Sequence, residues 1–235
     1  MAETQVTPQF SVVIPTRNRE TYLQQAVGSV LAQKGVSLEL LLVNDGDPLQ
    51  TVFHDPRVQL LDNHKRTAVP ARNLGVEHAR GTLIAFLDDD DFWIDDRHLD
   101  KSFASFAAGG DFIFANGEMR FPDGSVKIFD RDATPKSLER DNTILISAVC
   151  YWRGIHEKLG RFDEALPYYW DWDWYLRVAR GGFRLHHQKS LAVAIRVHAG
   201  NMSGKNDEAR RANLNALEAK HGLGSIPLKN HTDFV

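Results

Sequence analysis

Cysteine is almost absent from this sequence: Cys150 stands alone. One thiol excludes an internal disulfide framework and a cysteine-based zinc site, and its place in the apolar run Ile144 to Cys150 predicts a buried structural thiol. No apolar run reaches the roughly 18 residues that a membrane span needs. The N-terminus MAETQVTPQ lacks a signal-peptide pattern, so the expected setting is the cytoplasm. Neither sign of charge predominates. With 28 Lys and Arg against 31 Asp and Glu, the net charge is −3, which leaves no broad basic surface for nucleic acid or anionic lipid. Glycine-rich phosphate loops are also missing. Neither GxGxxG nor GxxxxGKS/T occurs, so dinucleotide and P-loop sites lack their fingerprints. No internal repeat or low-complexity segment is present.

What the chain does have is Thr82 to Trp93, TLIAFLDDDDFW, where an apolar run of strand length goes straight into Asp88, Asp89, Asp90 and Asp91. The pattern predicts a buried strand whose carboxyl end carries the acids. Adjacent carboxylates at about 4–6 Å repel by roughly 3–4 kcal/mol per close pair at an effective dielectric near 20. A solvated acidic loop relieves that repulsion, and so does a divalent cation such as magnesium or manganese, which favours oxygen ligands.

Around this stretch the pattern alternates between strand and helix. Phe10 to Pro15 predicts a strand, and the polar turn Thr16 to Arg19 follows it. A helix is expected from about Glu20 to Gln33, a second strand over Leu38 to Val43, a short third over Val58 to Leu61, and a helix from about Pro70 to Ala79. This is an α/β pattern with a largely parallel sheet, and right-handed crossovers bring Thr16–Arg19, Asn44–Asp47 and Asp88–Asp91 to one rim. Beyond Gly109-Gly110 the character changes. Expected there are a strand over Asp111 to Ala115, a hairpin over Glu118 to Phe129 with Pro122-Asp123-Gly124 at its tip, and a connecting loop over Asp130 to Asn142. A helix over Asp171 to Arg180, a strand over Leu191 to Val197 and a tail helix over about Asn206 to His221 complete the chain. The expected halves are residues 1–108, binding the nucleotide, and 109–235, binding the acceptor, together one domain. The tail helix leaves packing on its own domain and packing on a second copy both open.

Taken in order, SVVIPTRNR, LLLVNDGD, ARNLGVEHARGTLIAFLDDDDFW, WDWDWYLRVARGG and RVHAGNMS resemble the motifs of family 2 glycosyltransferases of the GT-A fold, over about Phe10 to Ser203. The resemblance implies an α/β, Rossmann-like fold, with a mostly parallel central sheet, flanking helices and a smaller mixed sheet on the acceptor side. It implies transfer of a sugar from a nucleotide diphosphate donor, UDP first among the bases, to a glycan, lipid-linked or other hydroxyl acceptor. Inversion at the anomeric carbon and a divalent metal, Mn2+ or Mg2+, belong to the same expectation.

Residue by residue, Asp88 and Asp90 match the acids of the DxD motif. Asp90 is the first choice as metal ligand, while Asp88 or Asp89 meets the ribose or a metal-bound water, and Asp91 is left to structure. Pro15, Thr16 and Arg17 match the loop at the base and ribose. Asp45 matches an acid that accepts a hydrogen bond from the base, with Asn44 where the family commonly has another acid. Arg72 matches an arginine that faces the base or braces its loop, and His198, in a motif with Asn201 and Ser203, a histidine at the metal or diphosphate. Asp171 matches the acid of the "ED" helix, where a general base accepts the acceptor proton from the side opposite the leaving group. Trp170 stands where Glu is usual, which keeps Asp173 in reserve. On a helix the two aspartates point about 200° apart, so only one reaches the donor. The aromatic residues Tyr168, Tyr169, Trp170, Trp172 and Trp174 suit burial better than stacking on a sugar. Two rivals stay open: a sugar-phosphate nucleotidyltransferase, and a member that binds a nucleotide sugar without transferring it.

Overall fold

A computed structural model describes residues 7–201 and 207–235. Its middle strands, β1 (Phe10–Thr16) and β2 (Leu38–Asn44), are buried along their whole length. Strands covered on both faces need apolar side chains at odd and even positions alike, and SVVIP and LELLLV supply them. β1 pairs in parallel with β2 on one side and β4 (Leu83–Phe86) on the other, and β3 (Val58–Asp62) pairs in parallel with β2. Val13, Leu41, Val43, Ile84 and Phe86 face one core, while Val12, Ile14, Leu40, Leu42 and Ala85 face the other. The helices α2 (Ala68–His78), α5 (Trp170–Arg180) and α6 (Asp207–His221) send side chains into the first core, and α1 (Glu20–Leu31) and α3 (His98–Ala107) into the second.

Two details of sequence fix how this half presents its rim. Leu87 donates to the carbonyl of Val13, so Val13 and Pro15, two residues on, both turn their backbone toward β4. β4 ends at Phe86, so the missing N–H of Pro15 falls where no ladder partner remains. Gly75 brings α2 tight against β1, since a Cβ there would lie 2.4 Å from Val13 Cγ1. That close approach carries Arg72, one turn earlier, over the ends of the strands.

The parallel part runs directly into a mixed part, giving one nine-stranded sheet in the order β3-β2-β1-β4-β8-β6-β9-β5 with β7 beside β6. β8 (Val149–Trp152) is antiparallel to β4 and to β6 (Phe112–Arg120), and β7 (Val126–Phe129) forms the expected hairpin with β6. The parallel partner of β6 is β9 (Leu185–Arg196), and β5 (Phe92–Trp93) closes on β9 in antiparallel register. β9 begins six residues before the expected Leu191. Its first half, LHHQKS, is largely polar and partly exposed, so its apolar pattern is faint, and the register with β6 shifts around Asn116. β5 is two residues long and gave no periodicity, yet it pins the far end of the acidic turn. A short helix, α4 (Ile155–Leu159), lies between β8 and α5.

Cys150 is buried with its Sγ 3.8 Å from His98 Nε2, and burial pushes the thiol up to about 12, as expected for a structural cysteine. Among the described residues no helix is long and apolar enough to cross a membrane. Ser203 of the last motif lies outside the described residues.

Candidate active site

The strand ends converge on a cleft of about 830 Å³. Pro15, Thr16, Arg17 and Asp45 line one end, Asp88 to Asp91 and Arg72 the middle, and Trp170, Asp171 and Asn142 the far side. Pro15, Thr16, Arg17, Asp45, Arg72, Asp88 to Asp91 and Asp171 all line this cleft, whereas His198 borders it through Asp90 and Gly200 and the reserve candidate Asp173 lies outside it.

The acidic turn is closed by a bond from Asp91 N to the Asp88 carbonyl, 3.1 Å. Its four carboxylates have four different surroundings. Asp91 is deepest: Ser147 Oγ donates to its Oδ2 at 2.7 Å and Arg196 N to its Oδ1 at 3.1 Å. Burial, and then the neighbouring Asp90, hold its carboxyl well above the usual range; through these bonds Asp91 ties the end of β4 to the turn before β8 and to β9. Asp89 is a second tie. Its Oδ2 accepts from Thr16 Oγ1 at 2.8 Å and Arg17 N at 3.2 Å, and its Oδ1 from Arg19 Nη1 at 3.2 Å. Burial, with Asp90 beside it, still raises this carboxyl to about 6. With both oxygens engaged by the β1 loop, Asp89 holds the rim together.

Asp88 and Asp90 face the cleft. Asp88 Oδ1 is paired with Arg72 Nη2, and Asp90 Oδ2 accepts from Arg19 Nη1 at 2.6 Å and His198 Nε2 at 3.0 Å. The other oxygen of each, Asp88 Oδ2 and Asp90 Oδ1, takes no hydrogen bond among the described residues. Oxygens of Asp88, Asp90 and Asp91 lie within 4.8 Å of one another. A hard divalent cation fits this donor set, with Asp88 and Asp90 as the residues that would hold it, since the oxygens of Asp91 are already claimed.

His198 has a defined tautomer. Gly200 N–H donates to its Nδ1 at 2.9 Å, so the neutral ring carries its proton on Nε2 and gives it to Asp90. In this arrangement His198 orients Asp90 and has no free lone pair for a metal. Tyr22 stacks on its ring at 5.6 Å.

Asp45 is buried, and burial raises its carboxyl despite Asn63, which donates to Oδ1 at 2.6 Å, and the nearby Arg17 and Arg72. The departure at Asn44 is explained by the turn. Its Oδ1 accepts from Gly46 N at 3.0 Å and its Nδ2 donates to the Asp47 carbonyl at 2.9 Å, which one carboxylate could not do at once. Arg72 reaches across to Asp88 and lies 4.5 Å over the Trp170 ring. Trp170, the residue in the usual glutamate position, thus forms the floor under this arginine.

Asp171 and Asp173 point apart, as helical geometry requires. Asp171 lines the cleft, with Asn142 Nδ2 donating to Oδ2 at 3.0 Å and Trp172 N to Oδ1 at 2.8 Å. Burial raises it to about 6. Asp173 is fully buried on the opposite face, where Arg177 Nε, Lys220 Nζ and His221 Nε2 meet it at 2.8, 2.7 and 2.8 Å. Burial pushes it up, but His221, Lys220 and Arg177 outweigh that and hold it at about 2. Asp173 anchors the helix and does not reach the cleft.

Three contributors were not singled out from sequence. Ser147 lies within the apolar run Ile144 to Cys150, and Asn142 at the end of the connecting loop. Arg19 belonged to a turn already marked as polar, which was its only signal.

This rim, with acids at the ends of parallel strands and a further acid on a later helix, defines the class. Residues 11–156 match the family model of glycosyl transferase family 2, and the chain belongs to that family. It is 31% identical over 240 residues to the uncharacterized glycosyltransferase YwdF of Bacillus subtilis (strain 168), covering 94% of this chain and 87% of the relative. Among solved structures, S. aureus TarS 1-349 in complex with UDP-GlcNAc matches with a TM-score of 0.72 at 15% identity, over 90% of this chain and 66% of that one. Mannosyltransferase PcManGT from Pyrobaculum calidifontis, in complex with GDP-Man and Mn2+, matches with a TM-score of 0.64 at 15% identity, over 95% of this chain and 67% of that one. The shared fold is GT-A.

Proposed function

We propose that this glycosyltransferase moves a sugar from a nucleotide diphosphate donor to an acceptor hydroxyl in one inverting displacement, with a divalent metal at Asp88 and Asp90 and Asp171 as general base. The observation that carries the reading is one cleft lined by the acidic turn, by Asp45 and by a carboxylate poised near neutrality. Two of the structures with this fold hold nucleotide sugars, UDP-GlcNAc and GDP-Man, one of them with Mn2+. UDP is the base to test first.

In this reading Pro15, Thr16, Arg17 and Asp45 take the base and ribose. Asp88 and Asp90 hold the cation, which when bound supplies Lewis-acid neutralisation of charge on the departing diphosphate. Arg72 holds Asp88 in place from the Trp170 side. Asp171 accepts the acceptor proton as the new bond forms, and its position near neutrality lets it be ionised in the ground state and still a competent base. His198 orients Asp90. Residues 1–108 serve the donor and residues 109–235 the acceptor, in the cytoplasmic setting expected from the sequence.

The test is thermal stability against a panel of nucleotide diphosphates with Mn2+, Mg2+ or EDTA. A ligand at 100 times its dissociation constant adds about 2.7 kcal/mol. A shift that needs the metal and selects one nucleotide supports the reading. No shift with any nucleotide, in folded protein, overturns it. Release of pyrophosphate would instead identify a nucleotidyltransferase, and nucleotide binding without transfer or donor hydrolysis a binding protein.

A further inference from the structure

The acidic turn already has a cation on it. Arg19, the last residue before α1, places Nη1 3.2 Å from Asp89 Oδ1 and 2.6 Å from Asp90 Oδ2, and Nη2 3.1 Å from the Gly200 carbonyl. Among the described residues two arginines pair with carboxylates of this turn, while Arg196 donates to it only at the Asp90 carbonyl and, through its backbone, at Asp91; the two are held differently. Arg72 is 8% exposed, also donates to the Ala68 carbonyl at 3.2 Å, and is stacked on Trp170. Arg19 is 33% exposed, and among the described residues its side chain bonds to the two acids and the Gly200 carbonyl alone. Partial burial disfavours its charged form, but Asp90 and Asp89 together outweigh that and raise it above its ordinary value. Arg19 is therefore the counter-charge that can leave.

The oxygen it holds belongs to Asp90, the carboxylate that also faces the candidate metal site. A guanidinium and a divalent cation on one carboxylate repel each other; Arg72 is buried and stacked on Trp170 and cannot withdraw from Asp88, so the more exposed Arg19 on Asp90 is the one displaced. Released from Asp90, Arg19 stands at the rim of the cleft beside Thr16 and Arg17, where its planar fork suits a phosphate. We propose that Arg19 is an exchangeable counter-ion: it neutralises Asp89 and Asp90 in the free protein, and it passes to the donor diphosphate when a divalent metal takes its place. The proposal rests on the metal and diphosphate reading given above. Its consequence is a coupling. Metal alone must evict Arg19 and gain nothing in return, whereas metal with a nucleoside diphosphate gives Arg19 a new anion. By linkage, each ligand then strengthens the other by the same factor.

The test measures Mn2+ affinity of the full chain by calorimetry or by the spin signal of free Mn2+, with and without UDP and GDP, for wild type, Arg19→Gln and Arg19→Lys. In Arg19→Gln, Mn2+ alone is expected to bind roughly tenfold more tightly, and the nucleoside diphosphate at saturating Mn2+ roughly tenfold more weakly, each about 1.4 kcal/mol. With nucleotide affinity in the absence of metal unchanged, the enhancement of Mn2+ binding by nucleotide then falls about tenfold, as reciprocity requires. Arg19→Lys keeps the charge and loses the fork, so Mn2+ alone should bind as in wild type while the nucleotide is weakened. It also carries the test if Arg19→Gln does not fold. Mn2+ affinity unchanged or lower in Arg19→Gln overturns the exchange, as does nucleotide affinity unchanged in both variants. If wild type binds no Mn2+ with or without nucleotide, the metal reading itself falls, and the exchange with it.

Discussion

Replacing Asp171 by asparagine separates catalysis from stability, because the two should move in opposite directions. Burial raises this carboxyl from 3.8 to about 6, which corresponds to about 3 kcal/mol against its ionised form. Between the unfolded and folded values the native chain binds the extra proton. The contribution of Asp171 to stability therefore declines as pH rises through that window, and its cost is complete above it. An uncharged amide of the same shape removes the cost. Asp171→Asn should gain up to about 3 kcal/mol at pH 8, about half of that at pH 5, and almost nothing below pH 4. For a chain of this size, 3 kcal/mol is roughly 6–12 °C in Tm. Asn142 can turn its amide to meet the new NH2, since its Oδ1 has no partner and its Nδ2 now serves Asp171. The assay is paired thermal denaturation of wild type and variant from pH 4 to 8, beside the pH profile of kcat/KM. Comparison at each pH cancels the buried histidines His98, His156 and His231, each lowered to about 4 by burial, which cost stability in both proteins as pH falls from 6.5. Wild-type kcat/KM should drop tenfold per pH unit below about 6, and the variant should be inactive. A variant no more stable than wild type at pH 8, or a wild-type profile flat down to pH 5, refutes the argument.

Asp173→Asn should do the reverse, losing about 3–5 kcal/mol through the uncompensated Arg177, Lys220 and His221 while keeping metal-dependent nucleotide binding. Because its folded value is depressed to about 2, the stability it confers is present at neutral pH and is lost as pH falls from about 4 toward 2, which acid titration of wild type against the variant will read. Asn142→Ala removes the bond that lowers Asp171, so the acid limb of kcat/KM should move upward in pH; an unmoved limb would mean that Asn142 does not act on the base. Ser147→Ala strips Asp91 of its hydroxyl partner and leaves Asp88 N without an acceptor. It should cost about 1–3 kcal/mol in denaturant titration.

The parallel half was legible because β1, β2 and β4 are buried on both faces and read as nearly continuous apolar runs. The opposed directions of Asp171 and Asp173 followed from helical geometry alone. The division of labour within Asp88 to Asp91 could not be read locally. It depends on partners far along the chain: Thr16 and Arg19 for Asp89, Arg19 and His198 for Asp90, Ser147 and Arg196 for Asp91. Four identical residues carry no internal label, and only the fold assigns them. The first half of β9 was hidden for a different reason, since LHHQKS is a half-exposed strand whose inward positions include Gln188, held by side-chain bonds to Ser102 and Ser190. Asn44 and Trp170, departures from the expected pattern, became intelligible only when the Asx turn and the Arg72 stack were seen.

The footing of Asp173 on Lys220 and His221 has a bearing on how such chains can be recombined. Helix α5 offers Asp171 from one face and is bolted by its other face to the last turn of α6, 48 residues further on. An exchange of segments between relatives that separates the two helices would leave one buried carboxylate facing strangers, even with every cleft residue retained. The two helices would have to be exchanged together, so the boundary of an exchanged segment falls after His221, not after the strand that precedes α6.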